Sequence, residues 1–189
     1  MKFIVIFCLI ILNSCVDYYR TADGGFRVSN PKVFKYNKDK YKNLRSGLID
    51  TTSIYLKSEE YNKGKQDSIS YQNDEFARFF SGGQVLFVRF DGGSPPQLEL
   101  INNQNLGIPG YYIVKGNKIK IDKFQLTNGG QTGKYFGRVL ENGDLIFYEA
   151  RPETYRGSFN RLEKNVSKTK YSIWKKIDII GIIHYNPKW

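Results

Sequence analysis

Residues 111–122 read Tyr-Tyr-Ile-Val-Lys-Gly-Asn-Lys-Ile-Lys-Ile-Asp. Two runs of aromatic and β-branched residues flank a Gly-Asn pair, the pattern of a hairpin with a two-residue turn. That turn fixes the register, and opposed residues must share a face. Tyr112, Val114, Ile119 and Ile121 then lie on one side, and Tyr111, Ile113, Lys120 and Asp122 on the other. The first set is apolar and the second mixed, as expected of a sheet with one face toward an interior.

Two similar units flank this one. Taking Gly82-Gly83 as a two-residue turn groups Ala77, Phe79, Leu86, Val88 and Phe90 against Phe76, Arg78, Phe80, Val85, Phe87 and Arg89. Taking Asn142-Gly143 the same way groups Tyr135, Gly137, Val139, Ile146, Tyr148 and Ala150 against Phe136, Arg138, Leu140, Leu145, Phe147 and Glu149. Glu75 interrupts the otherwise apolar face of the first unit. Further strands are expected at Leu48–Lys57, around Gln97–Ile101, at Ser158–Leu162 and at Tyr171–Tyr185, the last as one strand or two. Long connections fall near 59–73, 91–109 and 151–157, the second marked by Gly92, Gly93, Pro95 and Pro96. The expected class is all-β: an antiparallel meander of about eight to ten strands, a size that closes into a barrel or splits into a sandwich.

The start of the chain is of another kind. Lys2 precedes an unbroken apolar run from Phe3 to Leu12, long enough for a signal-peptide core and too short to span a bilayer. Leu12-Asn13-Ser14-Cys15 follows and resembles the lipobox of bacterial lipoproteins. The resemblance implies removal of residues 1–14 and a diacylglyceryl thioether on Cys15; the other reading is an ordinary secreted protein cleaved near Ser14. Cys8 would leave with the signal, so Cys15 has no disulfide partner in its own chain. Lipidation accounts for a lone cysteine in an oxidising compartment, and two or more acyl chains hold a protein stably on a membrane. The chain would then divide into a signal (1–14), an anchored arm (15–45) and a β domain (46–189). The arm is rich in Lys, Tyr and Asn and reads as a tether reaching on the order of 100 Å if extended, or as an arm docked through Tyr18, Tyr19, Phe34 and Tyr36.

The formal charge of +11 falls to +10 when Lys2 leaves. Such a balance attracts anionic surfaces, among them headgroups and an anionic envelope component, or is simply a solvated basic surface. Nucleic acid is not an expected partner of an exported, tethered protein.

Taken together, Gly-Leu-Ile-Asp-Thr-Thr-Ser-Ile-Tyr-Leu (47–56), Arg-Phe-Phe-Ser-Gly-Gly-Gln-Val-Leu-Phe (78–87), the stretch from Gly110 to Ile121 and the final strand–Asn-Gly–strand unit resemble small bacterial envelope lipoproteins with a lipocalin-like barrel. That resemblance implies a non-enzymatic, membrane-anchored barrel in the cell envelope, periplasmic or surface-exposed, with room for a small apolar or amphipathic ligand.

Chemistry-bearing motifs are sparse. His184 is the only histidine, so no His-rich metal site is expected. Neither a Gly-X-Ser-X-Gly elbow nor a His-Glu-X-X-His helix occurs. Asp122, Asp144, Glu149 and Glu153 are the acids from which a carboxylate-pair hydrolase would have to draw, but nothing in the sequence sets them apart. No catalytic residue and no cofactor is therefore expected. For a ligand site the candidates are Phe79, Phe90, Tyr112 and Tyr148 lining a cavity, with Arg78, Arg89 and Arg138 as anion-binding groups if the mixed face lines the lumen. The register sets these arginines opposite Phe87, Phe76 and Phe147, where cation–π pairing on an outer face is the other reading. A barrel of eight strands either holds one small ligand or fills with side chains; of the candidate interior residues, only Ala77, Gly137 and Ala150 are small enough to favour a cavity.

Overall fold

The structure, a computed structural model, describes residues 16–44, 47–67, 74–149 and 170–189. The signal, Cys15, the strand expected at Ser158–Leu162, Ala150 and Glu153 lie outside the described residues. The strands are β1 (Tyr18–Arg20), β2 (Phe26–Val28), β3 (Ser53–Asn62), β4 (Lys65–Gln66), β5 (Asp74–Phe79) and β6 (Gln84–Phe90), followed by β7 (Ile108–Lys115), β8 (Lys118–Gln125), β9 (Gln131–Val139), β10 (Leu145–Glu149) and β11 (Lys170–Asp178). A helix α1 (Leu98–Asn102) lies between β6 and β7.

Each strand of the main sheet pairs antiparallel with its neighbour in the order β11-β10-β9-β8-β7-β6-β5-β3, and β11 pairs back onto β3 from Lys170↔Asn62 to Asp178↔Ser53. Eight strands therefore form a closed up-and-down barrel of lipocalin-like topology, and the two-residue β4 adds to β3. The closing pair carries a β-bulge at Ile173/Trp174 that leaves Ser58 without an opposite residue. The Ser58 hydroxyl donates to the Ile173 carbonyl at 3.2 Å. A bulge bends and twists its strand, as the seam of a small barrel requires.

The central hairpin has the expected register, Lys115↔Lys118 through Tyr111↔Asp122. Gly116 alone of its turn pair has positive φ, +59°, the pattern of a type II′ turn with glycine first. The other two hairpins differ from expectation by one residue. Phe79 pairs with Val85, and Val139 with Leu145, so their loops hold three residues, Ser81-Gly82-Gly83 and Glu141-Asn142-Gly143. In each the last glycine takes φ near +88° and its N–H donates to the residue before the loop, Phe80 or Leu140. This is a type I turn followed by a glycine bulge. The slip turns the second strand of each hairpin over. Val85 and Phe87 join Ala77 and Phe79 inside, while Leu86, Val88 and Phe90 lie outside with Phe76 and Phe80. Likewise Leu145 and Phe147 point inward with Val139, and Ile146 and Tyr148 outward.

Three more expectations change. The strand expected at Gln97–Ile101 is α1: its apolar–polar alternation is overruled after Pro95-Pro96, and the Ile101 N–H donates to the Gln97 carbonyl at 3.0 Å. The connection expected from residue 59 begins later, because Lys63-Gly64 turns β3 into β4 with positive φ at both positions. The last strand ends at Asp178, and residues 179–189 turn back over the barrel wall instead of continuing it.

The outer wall is covered as well. Residues 179–189 and α1 bury Ile54, Phe76, Phe80, Leu86 and Val88 on the outside of β3, β5 and β6. Val28, Phe34 and Tyr36 cover Tyr111, Ile113 and Phe124 on β7 and β8. Of the arm aromatics, Phe34 and Tyr36 are buried, Tyr18 packs on Phe124 at 5.1 Å, and Tyr19 is exposed. Trp189, in the covering of residues 179–189, meets both the wall and the arm: its carbonyl accepts from the Tyr111 hydroxyl of β7 at 2.6 Å and its ring lies 4.9 Å from the Arg27 guanidinium.

Candidate ligand site at the barrel mouth

The tight hairpins lie at one end of the barrel, here the base. The opposite end, where β8 turns into β9 and β6 leads toward β7, is the mouth. Residues directly opposed across a ladder share a face, so the inward set follows from the register. At the base this set is packed solid. Tyr55, Phe79 and Tyr112 make edge-to-face contacts with centroids 5.3 and 4.9 Å apart, and Ile119, Ile121 and Leu145 are fully buried around them. The Tyr112 hydroxyl donates to the Phe80 carbonyl at 3.0 Å. Gly137 leaves no void, because the Phe147 ring occupies the space a side chain would take, 2.6 Å from an added Cβ.

Toward the mouth the character changes. Phe87, Phe147 and Trp174 meet edge to face at 5.9 and 5.6 Å, with Tyr135 beside Phe87. Above them the alternation that placed Ala77 and Ile121 inward delivers Glu75 and Lys123. Their side chains form an ion pair at 3.2 Å and are only 15% and 12% exposed. β5 and β8 are not neighbours, since β6 and β7 stand between them. The pair therefore crosses the lumen. The Lys123 ammonium also lies 3.8 Å from the Phe87 ring centre and 5.3 Å from that of Tyr135.

The seam supplies a second polar group. Lys57 lies opposite Trp174, and Glu60 opposite Ser172, so both face inward, one on either side of the bulge. Glu60 pairs with Lys57 at 3.1 Å and with Lys170. Burial pushes the Glu60 carboxyl up, and hydrogen bonds from Lys170 and Lys57 more than reverse this, holding it below its ordinary value. The Ser172 hydroxyl accepts from the Trp174 indole at 2.8 Å. Arg89, opposite Glu75, is exposed at the rim. Among the described side chains, four cations (Lys57, Arg89, Lys123, Lys170) thus accompany two carboxylates (Glu60, Glu75) around an aromatic floor, a surface suited to an apolar body with an acidic head.

The residues singled out from the sequence do not gather here. Phe79 and Tyr112 are inside but form the packed base. Phe90 lies on the outer wall against Phe76 at 5.9 Å, and Tyr148 is also on the outer wall, opposite Phe136 and Tyr171. The expected pairs of Arg78, Arg89 and Arg138 with Phe87, Phe76 and Phe147 are replaced by Leu86, Glu75 and Ile146. Arg138 is outside, donating to the Asn117 side chain at 3.3 Å. Arg78, 2% exposed, lies under residues 179–189. It donates to the carbonyls of Ile101, at 2.7 Å, and Ile183, and stands 5.0 Å from both the Phe80 and Tyr185 rings. Burial lowers its pKa, and that of Arg27 falls for the same reason to about 10. Arg27 donates to the carbonyls of Phe26, Gln104, Leu106 and Gly107. These two arginines fasten the outer layer to the barrel. A cavity of about 180 Å³ beside Arg78, Tyr185 and His184 lies outside the lumen.

Among the carboxylates, Asp144 accepts from the Lys176 N–H at 2.8 Å. Asp122 is buried on the outer wall and accepts the Lys35 N–H of the arm. Sequence reading passed over Lys57, Glu60, Lys123 and Trp174. Lys123 continues the alternation of Ile119 and Ile121, a signal that was present.

Fold and site together define an up-and-down β-barrel with a filled base and a charged, aromatic mouth. No protein-family model, no curated protein and no solved structure matches the chain.

Proposed function

We propose that the protein is a lipid-anchored lipoprotein of the bacterial cell envelope, non-enzymatic, whose barrel holds a small amphipathic acid at its mouth. The ion pair of Glu75 and Lys123 across the lumen carries this reading. Charges kept inside a barrel are costly, and here they stand over Phe87, Tyr135 and Trp174, with cations in excess among the described side chains. A ligand carboxylate would share Lys123 with Glu75, which has Arg89 opposite it, while its apolar part lies on the rings. Mass spectrometry of small molecules extracted from protein purified out of its own envelope tests this. An acid of this kind at near-equimolar amount supports the reading; protein that is empty while fully folded and lipidated contradicts it. For the anchor, Cys15→Ala releases the protein to the soluble fraction, and retention of that variant on the membrane overturns the lipobox reading.

The packed base favours a second reading, a filled barrel that presents a basic surface to an anionic envelope component. Binding to such a partner would weaken as salt rises, whereas salt-independent association would remove it.

A further inference from the structure

We infer that the mouth end of the barrel is the face that rests on the lipid bilayer, so that the lumen opens toward the membrane and not toward bulk water. This rests on the lipid anchor of the proposed function.

The first described residue, Val16, is held at the mouth. Its N–H donates to the Gly130 carbonyl at 3.1 Å, in the turn that joins β8 to β9. Tyr18 follows, packed on Phe124 and against Gly130. Farther along, Thr21 and Gly25 reach the 105–107 stretch that leads into β7, also at the mouth. The arm thus runs along the mouth before residues 30–44 cover the wall.

Consecutive Cα atoms are about 3.8 Å apart, so with Val16 held at the rim an anchor on the preceding residue leaves no length of tether to lift the mouth away from the membrane. The base hairpins stand about 20 Å farther off, allowing for strand tilt over the eight residues of β8. Tyr19 (55%) and Leu126 (40%) are exposed near the anchor, but Leu140, Ile177 and Ile180 are exposed toward the base, so the orientation is carried by the place of the anchor and not by apolar exposure. Tyrosine favours the headgroup level, where its ring is half in each phase.

The test uses the full lipoprotein in phosphatidylethanolamine–phosphatidylglycerol vesicles carrying a nitroxide-headgroup lipid. Single cysteines replace exposed residues at the two ends, Lys65→Cys near the mouth and Glu141→Cys at the base, and each takes a bimane label. Intact mass and vesicle flotation first establish that Cys15 is acylated. We expect quenching of the Lys65→Cys label to exceed that of the Glu141→Cys label at least threefold. Equal quenching, or the reverse order, with Cys15 acylated overturns the orientation and leaves the anchor standing. An unmodified Cys15 overturns both.

Discussion

Lys123 and Glu75 hold opposite charges across a lumen whose other inward residues are mostly apolar. Removing one partner strands a carboxylate or an ammonium in a poorly solvated place, a loss of about 3–5 kcal/mol when the pair is fully buried. With some exposure left, Lys123→Met should cost about 1–3 kcal/mol, and the double variant Glu75→Leu/Lys123→Met should return to within about 1 kcal/mol of the parent. Urea unfolding of the four proteins measures this; a double variant as unstable as the sum of the singles would show that the two do not interact. Asp122 gives a pH dependence of known sign. Burial raises its carboxyl above the ordinary value and outweighs the hydrogen bond from Lys35. Folding therefore favours the protonated form. The stability it contributes is complete below the unfolded value, near about 4, and is lost as pH climbs through the raised folded value. Asp122→Asn should flatten this fall over the acidic range, and unfolding midpoints at several pH values check it.

At the scale of the element, glycine position within the turn decides register. Glycine comes first in Gly116-Asn117 and last in Ser81-Gly82-Gly83 and Glu141-Asn142-Gly143, and the loops have two and three residues accordingly. Gly143→Ala meets no crowding, its nearest neighbour being Lys176 at 3.5 Å, but must adopt φ +87°. A loss of about 1–2 kcal/mol follows from backbone strain alone. Gly137→Ala has ordinary backbone freedom and instead strikes the Ile146 carbonyl and the Phe147 ring, so it should be the more damaging of the two. Thermal midpoints that rank them the other way would contradict the packing described for the lumen. The same two hairpins show why only part of the fold was legible. Val85-Leu86-Phe87-Val88 and Leu145-Ile146-Phe147-Tyr148 are apolar at every position, so no alternation pins the register. Between Tyr111 and Asp122 charged residues mark the outer face at Lys120 and Asp122, and there the reading from sequence and the structure agree.

At the scale of the molecule, the run Val85–Val88 is apolar on both sides because both sides are covered, by the packed lumen within and by α1 and residues 179–189 without. Sequence patterning shows that a residue is buried, not which of two interiors buries it. The mouth site shows the same limit. Glu75 stands out in the sequence as a flaw in an apolar face, and Lys123 as a cation on another, but only closure of the barrel brings them together. Trp189, in one outer covering, meets the other through Arg27 and packs in the apolar clusters beneath both. Trp189→Ala should cost about 2–4 kcal/mol, less than or near the loss for a fully buried aromatic, and should raise hydrogen exchange in residues 16–44 and 179–189 together. Exchange that rises in one covering alone would mean that the two are independent.

The most direct test of the mouth site is a fluorescence titration of Trp174 with dodecanoate, in a Trp189→Phe background so that one indole reports. The predicted result is a saturable change in emission that weakens with salt and is reduced at least tenfold in affinity by Lys123→Met, while the outer-wall variant Arg138→Met binds as the parent does. No change in Trp174 emission at any dodecanoate concentration below micelle formation, or binding that Lys123→Met leaves intact, would contradict a ligand site at the mouth of the barrel.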